Sequence, residues 1–363
     1  MNFDEIMEYN QPYNKRNFNS LIKHIKSNNI VPYIGAGMSA LFKDIYPLWG
    51  QFLSNTYMEF CKNCNKTNYD VLNLEDKADF LSSEIGKITF CDHLKDTFGI
   101  HHLERETSEF IDKPAYLLPI IFQNNLIVTT NYDKVIEKMF QLHNKIITVT
   151  HPGHFEALNT ALREGNLMLF KIHGDISEPH TSIILTKEQY DVAYKEPTLI
   201  SSLKQIFVGK DILFLGCSLE KDRPLELMCE VTQAGMKNYC IISSDSKLIK
   251  RNRLRLENDY NTQAIIYPEG KHECLNIILN HIAEIIAPET LKLARAKATK
   301  NPSRSFTGLN LSEEWFLDQN NVQIKNLGNR YLPDINIELD LKRVFDALGK
   351  SESFYKYFID KLQ

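Results

Sequence analysis

The chain has 363 residues, enough for one large domain or two modest ones, and its 42 Lys and Arg against 46 Asp and Glu leave a net charge of −4. This balance gives no overall attraction to nucleic acid or anionic lipid, so direct nucleic-acid binding is not expected. The 43% hydrophobic content argues against disorder, and an odd count of 7 cysteines argues against a secreted disulfide framework. The polar start and short apolar runs predict neither a signal peptide nor a membrane span, so we expect a cytoplasmic protein with no membrane partner.

Strands and helices alternate along most of the chain, beginning with a helix predicted over 18–28, capped by Ser20. Short apolar runs predict strands at 30–34, 126–133, 147–149, 167–172, 182–186, 211–216, 239–243 and 264–268. Helices are expected at 134–144, 187–208, 224–234, 247–257 and 273–287, and a helical insertion at about 50–122. Alternation of this kind predicts an α/β fold, a doubly wound parallel Rossmann-like sheet, whose ligands bind at the carboxyl ends of the strands.

The composition changes after Pro288, where a basic, weakly periodic stretch begins. We therefore predict a catalytic domain over 1–288 and a linker with a short C-terminal extension over 289–363. The extension is too short to stand alone, so it docks elsewhere or begins a further sensor or oligomerisation domain. For the basic stretch, a solvated tail is favoured over a nucleic-acid arm.

Small and polar residues follow the first two central strands. Gly35, Ala36, Gly37 and Ser39 lie after the first strand, where glycines allow close backbone approach and the next helix offers free N–H groups to a phosphate. A plain strand-to-helix turn explains this loop equally well. The segment Thr129–Asp133 follows the second strand, with Thr130 and Asn131 as polar candidates beside a ligand and Asp133 favoured as a cap of the next helix.

Three further strand ends carry candidate residues. His173 ends an apolar strand and precedes Gly174, a position from which an imidazole can face a cleft, although a structural histidine is commoner. Gly216 and Ser218 come directly after the apolar run DILFL (211–215), and Ser243 lies at a weaker fifth loop where a hydroxyl could meet a ribose. Five such loops at one sheet edge are stronger evidence together than separately.

Other motifs speak against several chemistries. The pair Cys61 and Cys64 lacks a second pair, so free thiols are favoured over a structural zinc, which needs four ligands. The sequence has no G-x-x-x-x-G-K-[ST] loop and no G-x-S-x-G elbow, which argues against a P-loop nucleotide triphosphatase and an α/β-hydrolase.

The ordered set GAGMS (35–39), TTNYD (129–133), KIHGD (171–175) and LGCS (215–218) resembles the signature of the sirtuin family, over about residues 20 to 285. The resemblance implies that Gly35, Ala36, Gly37 and Ser39 hold the phosphates of NAD, with Thr130 and Asp133 nearby. It further implies that Asn131 lies by the nicotinamide ribose and His173 is the base. Gly216 and Ser218 are implied at the later ribose and phosphate loop.

Two departures separate this chain from the family's protein deacylases. The D-F-R segment is replaced by KDIYPLW (43–49), and residues 174–216 contain no cysteine where deacylases carry two zinc-binding CxxC pairs. No zinc is therefore expected. The P-x-W form of Pro47 and Trp49 resembles the divergent bacterial sirtuin-like branch, whose members deplete NAD as antiphage effectors in abortive infection.

The resemblance implies an NAD glycohydrolase that releases nicotinamide and ADP-ribose, with NAD as its substrate. Two alternatives stay open: an NAD-dependent lysine deacylase, and a module that senses NAD or ADP-ribose without turnover. The expected partners are further copies of the chain and a fused or separate sensor, an ATPase or a phage protein that triggers the enzyme.

Overall fold

The computed structural model describes residues 1–42, 45–61, 69–104, 109–152, 155–179, 182–219, 223–231 and 237–300. These residues belong to one compact unit, Met1–Ser305, and the second unit, Phe306–Gln363, lies outside them. The predicted C-terminal extension is therefore outside the described residues from 301 onward, and the predicted boundary at 288 stays a prediction. No described helix is long and apolar enough to cross a membrane.

Seven strands form one sheet in which every neighbouring pair is parallel. They are β1 Ile30–Ile34, β2 Leu126–Thr129, β3 Thr148–Thr150, β4 Met168–Lys171, β5 Asp211–Leu215, β6 Asn238–Ser244 and β7 Thr262–Pro268. In the order β3-β4-β2-β1-β5-β6-β7, the topological switch point, where strands begin to be added on the other side of β1, lies between β1 and β5. The predicted α/β, doubly wound Rossmann-like fold is confirmed.

Helices cover both faces of this sheet. They are α1 Phe3–Tyr9, α2 Tyr13–Lys26, α3 Ala36–Ala40, α4 Trp49–Phe60, α5 Leu74–Ile85, α6 Lys87–Phe98, α7 Leu118–Ile121, α8 Val135–Leu142, α9 Phe155–Glu164, α10 Lys187–Ala193, α11 Pro197–Gly209, α12 Arg223–Val231, α13 Ile249–Tyr260, α14 Glu273–Ile286 and α15 Pro288–Lys300. Short 3-10 helices at Ile100–Leu103 and Pro114–Leu117 complete the described part of the segment between β1 and β2, which is helical as expected.

Strands β1, β2, β4 and β5 are buried along their whole length, because successive side chains point to opposite sides of the sheet and helices cover both sides. On β5, Leu213 and Leu215 join one apolar cluster, whereas Ile212 and Phe214 join the other. Continuous apolar runs of this kind are what a parallel sheet between two helical layers requires.

Three local predictions were wrong. Residues 182–186 form no strand, because they pass across the end of the sheet instead: Ile184 donates its N–H to the His173 carbonyl and accepts the Tyr132 hydroxyl. The first long helix begins at Tyr13, so Ser20 is no cap, and its hydroxyl bonds that of Tyr239. The stretch over 187–208 is two helices, since Glu196 caps α11 with bonds to two N–H groups.

Candidate functional site

The carboxyl ends of β4, β2, β1 and β5 are adjacent, so the loops that follow them meet at one edge of the sheet. A cavity of about 760 Å³ opens there. Six of the predicted site residues line it: Ala36, Ser39, Thr130, Asn131, Asp133 and His173. Tertiary structure thus brings together residues that lie up to 137 positions apart, 36 to 173, in the sequence.

The loops after β1 and β5 pack backbone to backbone. Gly37 donates its N–H to the Gly216 carbonyl at 2.9 Å, and Gly35 donates to Leu215 at 2.9 Å. A Cβ on Gly37 would lie 2.7 Å from the Gly216 oxygen, and one on Gly216, whose φ is +68°, would lie 2.4 Å from the Met38 nitrogen. The glycines are therefore required by contact between the two loops, whatever they do for a phosphate.

The remaining predicted residues do not reach the described wall of the cavity. Gly35, Gly37, Gly216 and Ser218 lie behind or beside it, and the Ser218 side chain is exposed. Ser243 is half-buried on β6, and the hydroxyl of Tyr9 bonds the carbonyl of the next residue, Ser244. A phosphate or ribose role for these five residues stays a prediction.

Asn131 is buried and held in one orientation. Its Nδ2 donates to the Gly35 carbonyl at 3.2 Å and to the Ser39 hydroxyl at 3.0 Å, and its own N–H bonds Thr129 Oγ1. Since a carbonyl can only accept, these bonds identify the nitrogen end of the amide. The amide oxygen, Oδ1, is buried without a hydrogen-bond partner among the described residues. An acceptor left this way at a cavity wall is suited to a donor on a ligand.

Asp133 serves the local structure and also faces the cavity. Its Oδ1 accepts the N–H of Val135, the first residue of α8, but the N-cap of that helix is Lys134 and not Asp133, the residue that the sequence favours. Burial raises the pKa of the Asp133 carboxyl, and Lys171 offsets this effect only in part. Beside it Thr130 contributes to the wall and donates its N–H to the Ile34 carbonyl at 3.3 Å.

His173 lies against two tyrosines of the segment around α10. Its Nε2 is 3.0 Å from the Tyr194 hydroxyl, and its Nδ1 is 3.3 Å from the Tyr190 hydroxyl. Burial lowers the pKa of His173 to about 3. The imidazole is therefore neutral at physiological pH, so one ring nitrogen donates and the other accepts, and both lie within hydrogen-bond distance of a tyrosine hydroxyl.

Beneath the two loops lies a charged cluster that the sequence motifs did not single out. Lys171, 1% exposed, donates to the carbonyls of Tyr132 (3.0 Å) and Asp133 (2.6 Å) and to Glu137 (3.1 Å) and Asp175 (2.9 Å). Burial opposes its charge, but Glu137 and Asp175 outweigh that and raise the pKa of Lys171. One ammonium group thus ties the loop that carries Asn131 to the loop that carries His173.

The same cluster keeps Asp175 ionised. Burial alone would raise the pKa of Asp175, but Lys171 and a 2.5 Å hydrogen bond from Lys134 hold it at about 2. We call Lys171, Lys134, Glu137 and Asp175 the floor cluster. The sequence shows a lysine and an aspartate on either side of the His-Gly pair. It does not show that these two residues are buried, and burial is what makes their pairing important.

An aromatic wall and an ion-pair bridge were also missed as site features. Pro47, Trp49 and Phe98 line the cavity, and the Trp49 ring lies 5.8 Å from that of Tyr132. Across the opening, Arg223 on α12 bonds Glu75 on α5. The Pro-x-Trp spacing was visible in the sequence, whereas residues 75 and 223 are paired by the fold alone.

The described residues hold no group of three or more His, Cys, Asp or Glu arranged to bind a metal. Cys61 is buried at the end of α4, and its predicted neighbour in the CxxC pair, Cys64, lies outside the described residues.

Comparison with known proteins agrees with this geometry. Residues 125–265 match the SIR2-like domain, a range that includes Asn131, His173 and Gly216. The NAD(+) hydrolase ThsA of Bacillus cereus (strain MSX-D12) is 24% identical over 274 residues, which cover 72% of this chain and 53% of the relative. The NAD(+) hydrolase ThsA of Acinetobacter baumannii (strain 532279) is 26% identical over 244 residues, 66% of this chain and 46% of the relative.

A third relative, the NAD(+) hydrolase ThsA of Cytobacillus dafuensis, is 25% identical over 274 residues, 73% of this chain and 51% of the relative. The chain thus spans about half the length of the curated relatives it matches. The sirtuin-like resemblance is confirmed: residues 125–265 match the SIR2-like domain within a seven-stranded parallel α/β fold, and the chain shows homology, at modest identity, to relatives named NAD(+) hydrolase.

Proposed function

We propose that the chain hydrolyses NAD⁺ to nicotinamide and ADP-ribose in the cavity at the carboxyl edge of the sheet. The observation that carries this proposal is the buried, unpaired Oδ1 of Asn131 in the same wall as the neutral imidazole of His173. The naming of three relatives as NAD(+) hydrolases supports it.

Asn131 is the positioning group in this proposal. A ribose hydroxyl or a water donates to its Oδ1, and the bonds from its Nδ2 to Gly35 and Ser39 keep the amide from turning. Ala36 and Ser39 offer the loop after β1 to the phosphates. Preorganisation of this kind lowers the cost of ordering substrate at the reacting carbon.

The reaction breaks the bond between ribose C1′ and the nicotinamide nitrogen, and both bonding electrons leave with nicotinamide. The carbon becomes oxocarbenium-like, as in other glycosyl cleavages, and a water oxygen adds to it. The water proton passes to His173 and then to solvent. A base of such low pKa suffices because water bonded to an oxocarbenium carbon is far more acidic than free water.

The aromatic wall completes the site. Pro47, Trp49 and Phe98 present apolar surface to the cavity, which limits the number of waters that reach the cation. Because His173 stays neutral down to a pH of about 3, we expect its contribution to the rate to be constant across pH 5 to 8. An acid limb near pH 6.5 that vanishes in His173→Ala would contradict this protonation state.

The direct test is nicotinamide release from NAD⁺ by the full chain, followed by chromatography, with and without an acyl-lysine peptide. We expect peptide-independent release that falls about 100-fold or more in His173→Ala and in Asn131→Ala. His143→Ala is the matched control, since His143 bonds the Tyr116 carbonyl outside the cavity wall. Strict dependence on the peptide would replace hydrolysis by deacylation. Equally slow release from wild type and His173→Ala under all activating conditions would leave only NAD or ADP-ribose sensing.

We further propose that this activity depletes NAD⁺ in the cytoplasm during antiphage defence, as an oligomer that a sensor or phage protein triggers. The sequence resemblance to the bacterial sirtuin-like branch supports this setting. Cellular NAD⁺ in a bacterial host should fall after phage challenge with the wild-type chain and not with His173→Ala. If cellular NAD⁺ stays unchanged in both strains and both strains produce the same phage yield, the proposed defence role is wrong.

A further inference from the structure

The cavity contains a single strong cation among its described lining residues, Arg223. Glu75 and Glu226 line it too, and the buried Asp133 adds a third carboxyl group. NAD⁺ carries a diphosphate with two negative charges, so the acidic side chains oppose it and Arg223 alone among the charged side chains attracts it.

Arg223 is already engaged by two carboxylates from different helices. Its Nε and Nη2 donate to Glu75 of α5 at 3.1 and 2.8 Å, a bidentate pair, and its Nη1 donates to Asp191 of α10 at 2.6 Å. The guanidinium also lies 5.6 Å from the Tyr190 ring centre. We call Arg223, Glu75 and Asp191 the rim bridge.

The rim bridge is built to exchange partners. The side chains of Arg223, Glu75 and Asp191 are 25%, 30% and 47% exposed. Ion pairs between side chains this exposed to solvent contribute little to the stability of the fold, so separating the two partners costs little free energy. A guanidinium fork that fits a carboxylate also fits a phosphate, because both present two oxygens in one plane.

We propose that Arg223 is the diphosphate-recognising residue of this cavity, and that a bound dinucleotide displaces Glu75 from it. This inference rests on the proposed NAD⁺ site but concerns binding rather than turnover. Displacement frees the first turn of α5, which borders the cavity through Asn73, Leu74 and Glu75. Glu75 therefore acts as an internal competitor that lowers the affinity for the diphosphate.

The neighbouring pair between the same two helices supplies a matched control. Lys187 of α10 bonds Asp76 of α5 at 2.8 Å, and neither residue lines the cavity wall described above. The variant Asp76→Asn breaks a link between α5 and α10 without touching Arg223. It separates loosening of α5 from the loss of a competing charge.

The experiment is isothermal titration of the full chain with ADP and with adenosine, which share a base and ribose and differ in the diphosphate. We expect Arg223→Gln to weaken ADP binding about tenfold and to leave adenosine unchanged. Glu75→Gln should bind ADP several-fold more tightly than wild type, a gain that misfolding cannot imitate. Asp76→Asn should match wild type for both ligands.

Several outcomes would overturn the inference. An unchanged ratio of ADP to adenosine affinity in Arg223→Gln would show that the diphosphate binds elsewhere. Equal ADP binding by wild type and Glu75→Gln would show that Glu75 does not compete with the diphosphate for Arg223. Tighter ADP binding by Asp76→Asn would assign the effect to α5 instead of to the charge. The proposed hydrolysis fails separately: Arg223-dependent ADP binding with no nicotinamide release retains the inference and removes the reaction.

Discussion

Two groups of charged residues near the candidate site have different roles: the floor cluster supports the loops that carry Asn131 and His173, and the rim bridge includes Arg223 and Glu75 of the cavity wall. In the floor cluster, Lys171 is 1% exposed and has four acceptors, whereas in the rim bridge Arg223 is 25% exposed and pairs with two carboxylates. A buried charge that loses its partner costs several kcal/mol, but a wet one is compensated by solvent. The floor is therefore fixed, and the rim is free to rearrange around a ligand.

The largest expected effect comes from breaking the floor. Lys171→Met removes the more deeply buried of the two cations that Asp175 and Glu137 share and leaves them only Lys134. We expect a loss of about 3–5 kcal/mol in the free energy of unfolding, measured with urea. Adding Asp175→Asn to that variant should restore part of the loss, because one of the two carboxylates that then depend on Lys134 alone is removed. Lys187→Met, the exposed control, should unfold close to wild type.

The second prediction concerns His173, a buried titratable group outside the floor cluster. His173 has a pKa of about 3 when folded and about 6.5 when unfolded, so below pH 6.5 the unfolded chain binds a proton that the folded chain does not. Stability must then fall as the pH falls. Between pH 6.5 and pH 5 wild type should lose about 2 kcal/mol more than His173→Gln, by urea unfolding at each pH. Parallel pH profiles would show that His173 is not desolvated.

The third and smaller effect is the salt dependence of amide hydrogen exchange, which should differ between the rim bridge and the floor cluster. Raising NaCl from about 0.05 to 1 M shortens the Debye length to about 3 Å and weakens exposed pairs selectively. Amide hydrogen exchange should accelerate several-fold at the start of α5 and stay unchanged on β4, which carries Lys171. Equal acceleration of amide exchange at both places would contradict the contrast between a solvent-exposed rim bridge and a buried floor cluster.

The smallest expected effect is that of the rim bridge on global stability. Glu75→Gln removes a partly exposed pair, so its thermal midpoint should stay within about 2 °C of wild type by circular dichroism. A shift comparable to that of Lys171→Met would show that the bridge is structural and not exchangeable.

The local pattern predicted the elements that are buried most uniformly. The runs IVPYI and DILFL are apolar throughout because both faces of a parallel strand are covered, and both are strands in the structure. The same pattern failed at residues 182–186, whose apolar side chains are buried although their backbone pairs with a loop and not a strand. An apolar run therefore predicts that a segment is buried. Whether the segment also forms a strand depends on a partner strand that is distant in the sequence.

For the site, the local pattern already places particular residue types at the strand ends: the glycines of the loop after β1, Asn131 and His173. Which atoms are available depends on long-range packing, since the Asn131 amide is oriented by bonds to residues 92 and 96 positions away, and its Oδ1 is left unpaired. Packing likewise buries Lys171 and leaves Arg223 partly exposed. The physical reason is that the energy of an ionic interaction depends on how far the charged groups are desolvated, and packing between distant segments sets that desolvation.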